Sequence, residues 1–453
     1  MYSIIMNQNI MKGYIMFYNR ENELQTLESE YEKEGATFTV IYGRRRVGKT
    51  ALISEYIKNR PSLFIYATEA NFLIQLENSK PQLLELINKP YLEGVKLTSF
   101  EQLFTLLCEY DFTQKLVLVI DEYQNLCKID KAFSSSLQRI WDMKLQQKNI
   151  HLILSGSVIS MMHSEVLDYS APLYGRRTTN IHLKPLAFKY IKSFLPNISR
   201  EDEMNIFASF GTIPKYLELY DQHKSFRDNL KDNILNKNSF LYAEGNFLLK
   251  QELSELTTYF SILESISRGE TKIGNIASRL EVPSTHLTRY LSKLIDLDML
   301  IKEIPITEKN PLKSKMGRYK FKDKVLNFWF YYVYKNYNQL EINQVQSVLD
   351  EIDMNFNDRF VSFAFEDFVS EDILYNPKQY LDFIPKKIGR WWNKSEEIDL
   401  IAMDDENICF IECKWQNSFN REKVLHQLIK KSKLVKHNLN ESFLVVGKED
   451  FLL

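Results

Sequence analysis

Hydrophobic and polar positions along the chain form a few short, contrasting patterns. Thr37–Tyr42 (TFTVIY) is β-branched and aromatic throughout, the profile of a buried strand. Lys115–Ile120 (KLVLVI) and His151–Leu154 (HLIL) are continuous apolar runs of the same kind, and buried parallel strands read this way. Ala51–Ile57, between the first two, has apolar spacing that suits a helix.

Further on the period lengthens. Thr271–Leu280 and Thr285–Leu297, separated by the turn Glu281-Val282-Pro283-Ser284, predict a helix–turn–helix. Leu287, Leu291 and Leu294 recur at helical spacing in its second helix, which Ser284 is placed to cap. Met299–Ile306 and Tyr319–Phe321 flank a Lys/Pro-rich tip, so strand, wing and strand complete a winged helix. The run Phe328–Tyr334 reads as the core of a bridging helix rather than a platform for stacking bases. Near the C-terminus Glu397–Ala402 and Ile408–Trp415 alternate, and Asp404–Asn407 forms a polar turn between them, which predicts a hairpin.

Composition narrows the class. The chain has 453 residues, 44% hydrophobic and 26% charged, enough for about three globular domains. Formal net charge is −1, which excludes a uniformly basic nucleic-acid coat. The sum hides sorting: about +1 over residues 1–245, +4 over 246–344 and −6 over 345–453. Seven basic residues, Lys309, Lys313, Lys315, Arg318, Lys320, Lys322 and Lys324, crowd the wing, where phosphate contact would need little sequence readout. Cys108, Cys127, Cys409 and Cys413 stand singly in apolar runs without metal-ligand spacing, as in a reducing, cytoplasmic setting. No apolar run is long enough to span a bilayer, so no membrane partner is expected. Met1, Met6, Met11 and Met16 precede recognisable pattern, so residues 1–16 read as a disordered tail after an upstream start.

The first strand runs into Gly43-Arg44-Arg45-Arg46-Val47-Gly48-Lys49-Thr50, which is G-x-x-x-x-G-K-T with helical Ala51 next. Glycines let backbone amides turn toward phosphates at a helix N-terminus that favours anions. Lys49 would reach the β- and γ-phosphates of ATP, and Thr50 would hold Mg²⁺. Asp121 and Glu122 follow the second apolar strand, where ligands bind in open α/β sheets. Asp121 would orient the Mg²⁺ and Glu122 would polarise the attacking water. Ser155-Gly156-Ser157 ends the third run, either sensing the γ-phosphate or making a turn.

Around this loop the chain resembles archaeal-type ATPases of the signal-transduction (STAND) branch of AAA-like P-loop proteins. The matching residues are Phe17-Tyr18-Asn19-Arg20-Glu21-Asn22-Glu23-Leu24, Asp121-Glu122, Pro172-Leu173-Tyr174-Gly175-Arg176 and Gly211-Thr212-Ile213-Pro214-Lys215-Tyr216-Leu217. The resemblance implies that Arg20 lies near the adenine, Pro214 packs on the nucleotide from a helical lid, and Arg176 acts as an arginine sensor or finger. Thr212 stands where the family has a second glycine. Without the resemblance, Arg176 and Arg177 read as a surface pair.

The C-terminal hairpin carries a second chemistry. Residues two apart share a strand face, so Glu412 and Lys414 point one way and Asp399 can join them in the right register. Two carboxylates beside a lysine suit Mg²⁺ or Mn²⁺ and a water aimed at a phosphodiester. The spacing resembles the D-x(n)-E-x-K pattern of restriction-endonuclease-like (PD-(D/E)xK) nucleases, in which Glu366 would be the helix-borne glutamate and Gln427 the glutamine of the next helix. Trp391-Trp392 and Glu412-Cys413-Lys414-Trp415 are similar to the domain that such ATPases carry at this position.

The expected class is α/β: a P-loop NTPase parallel sheet with a helical lid, then an α-rich winged helix and a small α/β restriction-endonuclease-like domain. The expected divisions are an ATPase core over residues 17–195, a lid over 196–245, the winged helix over 246–344 and the nuclease-like domain over 345–453. The expected function is an ATP-binding and ATP-hydrolysing switch coupled to a Mg²⁺- or Mn²⁺-dependent nuclease acting on DNA or RNA. Two alternatives stand beside it: a nucleotide-gated regulator that binds DNA or protein through the winged helix with a silent nuclease-like domain, and a DNA loader. Assembly into homo-oligomers stays open.

Overall fold

The computed structural model describes residues 18–452; the tail expected over residues 1–16, and Phe17 of the N-terminal box, lie outside them. The described chain packs as two units. One holds residues 18–186 with 213–215, and the other holds 187–212 and 216–452.

The first unit is built on five parallel strands in the order β2-β3-β4-β1-β5. They are β1 (Thr37–Tyr42), β2 (Ser62–Tyr66), β3 (Leu116–Asp121), β4 (Ile150–Gly156) and β5 (Thr179–His182). Every residue of β3 and β4 is buried, the physical reason those stretches are continuously apolar rather than alternating. Each buried Leu, Ile or Val contributes about 1.5–3 kcal/mol on leaving water. Because all five strands run the same way, their C-terminal tips meet along one edge: Tyr42 registers with Gly156, and Tyr66 with Asp121. The two outer strands escaped the sequence pattern. β2 is an alternating five-residue run, and in β5 only Ile181 is fully buried.

The second unit contains the predicted helix pair, over Ile273–Arg279 and Ser284–Asp296, followed by β6 (Leu300–Glu303) and β7 (Arg318–Phe321) in antiparallel register. Leu287, Leu291 and Leu294 are buried as expected, with Tyr290. One expectation fails: Ser284 is the first residue of its helix, Pro283 occupies the cap position, and no side chain caps that end. Lys324–Phe328 and Trp329–Tyr334 form the bridging helix, in which Trp329, Phe330, Tyr332 and Val333 are core residues.

The C-terminal part follows the order helix, three strands, helix, strand. The helices are Ser362–Tyr375 and Arg421–Ser432; the strands are β8 (Lys387–Trp392), β9 (Glu397–Met403), β10 (Asn407–Lys414) and β11 (Asn440–Gly447). Sheet order is β11-β10-β9-β8, antiparallel except for the parallel β10–β11 pair. The predicted hairpin is therefore the centre of this sheet, while β8 and β11 are its edges. Among the described residues, no helix is long and apolar enough to cross a membrane.

One packing constraint is directly testable. Gly245 lies in the Phe240–Glu252 helix, where an added Cβ would sit 2.4 Å from the Trp329 ring, whereas a Cβ on helical Gly274 meets nothing within 4 Å. Gly245→Ala is expected to destabilise the second unit by about 1–3 kcal/mol. Gly274→Ala is expected to stabilise it by about 0.4–1 kcal/mol. Urea unfolding monitored by tryptophan fluorescence distinguishes these opposite signs.

Candidate functional site

The loop between β1 and the Lys49–Ile57 helix needs backbone shapes that ordinary residues avoid. Gly48 has φ 97° and Arg46 φ 71°, both left-handed, and a Cβ on Gly43 would meet the Leu183 carbonyl at 2.3 Å. Lys49 Nζ donates to the Gly43 carbonyl at 2.8 Å and the Arg44 carbonyl at 2.9 Å, so the ammonium lies inside the loop. Thr50 Oγ1 donates to Asp121 Oδ2 at 2.7 Å, bringing together the two side chains expected to serve Mg²⁺. Asp121 is fully buried, and its other oxygen accepts from the Glu122 amide at 3.0 Å. Arg45 borders the same edge, its charge acting on Tyr66. Arg44 is buried, and Ala51 lies in the first turn of the helix.

Glu122 is held in a left-handed conformation, φ 54°, immediately after β3. Its Oε2 accepts from Ser157 Oγ at 2.7 Å and from the Gln124 amide. The Ser155–Ser157 turn therefore meets the proposed water-polarising carboxylate. Gln124 was not foreseen; its offset of two from Glu122 was the only available signal. Tyr66 was also missed. Partial burial, then the charges of Glu122 and Asp121, raise its pKa above the ordinary value.

Arg20 does something the motif did not show. Its guanidinium donates to the Val47 carbonyl at 3.0 Å and the Lys184 carbonyl at 2.8 Å, bracing the loop. Arg176 forms a two-point pair with Asp142, Nε to Oδ1 at 2.9 Å and Nη2 to Oδ2 at 2.8 Å. It also donates to the Pro172 and Tyr174 carbonyls. Pro214 opens the Pro214–Leu217 helix and belongs, with its neighbours, to the P-loop unit. Gly211 takes the left-handed turn, φ 65°, and Thr212 is not among the described non-glycine residues with positive φ. The backbone at Thr212 therefore does not need a glycine for a left-handed turn.

In the C-terminal sheet, Ile411 registers with Leu400, and Asp399 and Glu412 follow that pair on the two strands. Asp399 Oδ2 accepts from the Cys413 amide at 2.8 Å, and Lys414 Nζ donates to Glu412 Oε1 at 2.9 Å. Lys431, from the Arg421–Ser432 helix, adds a second ammonium 3.2 Å from both Glu412 oxygens. Lys431 lies four residues after exposed Gln427, and that helical interval is the signal that places both on one face. Glu366 Oε2 accepts from Arg390 Nε at 2.9 Å and Nη2 at 2.6 Å.

Burial, reinforced by Glu412, holds the Asp399 carboxyl above the usual range. Burial likewise pushes Glu366 up to about 8, with Arg390 opposing the rise and Asp399 adding to it. The carboxylates thus crowd one another, a donor set that a divalent cation would relieve. Among the described residues, however, no three His, Cys, Asp or Glu side chains are grouped to hold a metal ion.

The basic wing is less free than its composition implies. Arg318 pairs with Glu397, Lys320 with Glu303 and Asp367, Lys322 with Asp298, and Lys324 with Asp367. Lys309, Lys313 and Lys315 at the tip are exposed.

Comparison with known proteins agrees with the first unit. Residues 17–220 match a family described as "ATPase domain predominantly from Archaea". Residues 329–427 match one described as "Archaea bacterial proteins of unknown function". An uncharacterized protein of Methanocaldococcus jannaschii is 36% identical over 440 residues, 96% of each chain. An uncharacterized ATP-binding protein of the same organism is 46% identical over 50 residues, 11% of this chain and 85% of that one. The Walker-type ATPase of Pyrococcus abyssi is similar in structure, with a TM-score of 0.52 and 19% identity, over 69% of this chain and 96% of that one. That likeness is one of fold.

The geometry separates binding from hydrolysis. Lys49→Ala is expected to abolish ATP binding in a fluorescent-nucleotide titration. Glu122→Gln is expected to leave binding within about twofold while slowing phosphate release by roughly 10²–10⁴-fold.

Proposed function

The chain belongs to one family with an uncharacterized protein of Methanocaldococcus jannaschii, and its residues 17–220 match an archaeal ATPase domain; on that premise we propose an ATP-operated switch controlling a metal-dependent nuclease in the C-terminal domain. The observation that carries the nuclease reading is the convergence of Asp399, Glu412 and Lys414 at one end of the β9–β10 hairpin. The helix, three strands, helix, strand order of that domain supports a restriction-endonuclease-like fold.

In the ATPase, Lys49 would leave the Gly43 and Arg44 carbonyls for the β- and γ-phosphates, and Thr50 and Asp121 would hold Mg²⁺. When bound, that ion neutralises charge on the phosphate oxygens. Glu122 orients the attacking water once Ser157 and Gln124 release it. Arg176 acts as a finger only after giving up Asp142. Pro214 packs against the nucleotide, and Arg20 keeps the loop in shape beside the adenine. Nucleotide drives the switch to the extent that it binds one conformation better than the other.

In the C-terminal domain, Asp399 and Glu412, joined by Glu366, would hold Mg²⁺ or Mn²⁺. A cation there lowers the pKa of a bound water and stabilises charge on the scissile phosphate. Lys414 places a positive charge where the phosphoryl oxygens gain negative charge. Lys309, Lys313 and Lys315 give the wing tip a phosphate-binding edge for DNA or RNA.

A second reading has its own support. Glu412 already holds two ammonium groups and Glu366 a guanidinium, so built-in cations satisfy this site as they would in a silent domain. That reading makes the protein a nucleotide-gated regulator binding DNA, or protein, through the winged helix.

Plasmid, linear and single-stranded DNA, and RNA, incubated with Mg²⁺ or Mn²⁺ with and without ATP, separate the two. The nuclease reading expects metal-dependent cleavage that Asp399→Asn abolishes, that Lys414→Ala lowers by roughly 10²-fold or more, and that loses its response to ATP in Lys49→Ala. Cleavage that persists in Asp399→Asn sinks the proposed site. ATP-dependent DNA retention without cleavage favours the regulator.

A further inference from the structure

The winged helix and the C-terminal sheet meet within one unit around a cleft of about 330 Å³, whose lining includes Glu303, Lys320, Glu366, Asp367, Arg390 and Asp399. Most of these charges are joined in one network. Arg390, on edge strand β8, donates to Glu366 through Nε and Nη2, to Asp367 at 3.2 Å and to Glu303 of β6 at 3.0 Å. Lys320 of β7 bridges Glu303 at 2.6 Å and Asp367 at 3.1 Å.

Uncharged contacts seat the same surface. The Ile306 amide donates to the Arg390 carbonyl at 3.0 Å, and Trp392 Nε1 donates to the Met316 carbonyl at 3.1 Å. Arg318 lies over the Trp392 ring at 4.5 Å while pairing with Glu397. Ile306 also packs against the core of the C-terminal sheet. The wing therefore covers β8, an edge strand whose hydrogen-bonding groups would otherwise be open.

We infer that this seated wing is an internal lock on the C-terminal carboxylates, and that lifting it opens the cleft that Glu366 and Asp399 line. This rests on the metal-site reading of Asp399 and Glu412 given above. Charge balance permits the movement. Arg390 stays protonated whatever its surroundings, so it keeps a carboxylate partner in every state. With the wing seated, Asp367 is shared among Lys320, Lys324 and Arg390, and Glu366 takes two guanidinium hydrogens. Lifting the wing removes Glu303 from Arg390 and Lys320 from Asp367. Lys324 stays on Asp367 and Arg390 stays on Glu366, so every remaining charge keeps a partner. One anion and one cation thus leave together, while the cleft lined by Glu366 and Asp399 opens. The basic wing thus has an acidic protein partner inside its own chain.

The backbone offers a direct test. A Cβ built on Gly389 lies 3.6 Å from Ile306 Cβ, within the roughly 3.5–4.5 Å that a disulfide spans. In the full chain, Ile306→Cys with Gly389→Cys staples the wing when oxidised and releases it when reduced. Glu303→Gln with Lys320→Gln removes the wing's side of the network. Mn²⁺ binding, read from the free-ion electron paramagnetic resonance signal, needs no turnover. Expected are weaker Mn²⁺ binding in the oxidised staple than in its reduced form, binding tightened by roughly tenfold in the charge variant, and loss of both when Asp399→Asn is added.

Equal Mn²⁺ affinity in oxidised and reduced staple, with Asp399-dependent binding in both, would overturn the lock and leave the metal site standing. No Asp399-dependent binding in any form, the charge variant included, overturns the metal reading and the lock together.

Discussion

A guanidinium taken out of water cannot shed its proton, so the protein around it must supply negative charge. Arg390 sets this condition for the second unit. Its neighbours Glu303, Glu366 and Asp367 come from a wing strand and from the helix that carries the candidate metal ligand, while Arg390 itself sits on a sheet edge. Three elements far apart in sequence are thereby tied at one point. Breaking one side of such a network leaves a buried charge without a partner, a far larger penalty than the loss of a surface ion pair. This is why the wing strands, read from sequence as a basic edge suited to phosphate, are turned toward the C-terminal domain.

The P-loop unit obeys a related constraint by different means. Asp121 is fully buried at the tip of a strand, where hydrogen bonds from Thr50 and the Glu122 amide satisfy it. Parallel strands deliver Gly43, Asp121 and Gly156 to one edge, so loop, carboxylate and turn assemble without long-range searching. The groups proposed for hydrolysis rest on internal partners: Lys49 on its own loop, Glu122 on Ser157 and Gln124, Arg176 on Asp142. Nucleotide must exchange those contacts for its own, and each exchange is a point at which binding becomes movement.

What the sequence made legible follows burial. Strands buried on both faces, the amphipathic second helix of the helix–turn–helix, and the alternating hairpin all have strong local periods, and all formed within a residue or two of expectation. β2, β5, β8 and β11 were missed because they are short, or because their burial depends on distant partners. The phosphate loop and the pair Thr50–Asp121 were legible because motif and strand order together bring them to one place. The partners of Arg20, Arg176, Lys431 and Arg390 were not, since no periodicity encodes which carboxylate or carbonyl meets a long basic side chain. Ser284 illustrates the limit of local chemistry. It is a good cap by residue type, yet Pro283 occupies the cap position and shifts it into the first turn.

The proposed switch and the inferred lock together require that nucleotide at the P-loop be felt at the wing and β8. Hydrogen–deuterium exchange on the full chain, comparing nucleotide-free protein with protein saturated by a non-hydrolysable ATP analogue and Mg²⁺, measures it most directly. The account predicts faster exchange on nucleotide binding in peptides covering residues 299–321 and 387–392, the segments joined by the Ile306–Arg390 backbone bond, and no such change in Lys49→Ala. Protection confined to the P-loop unit, with unchanged exchange in both segments, would contradict it.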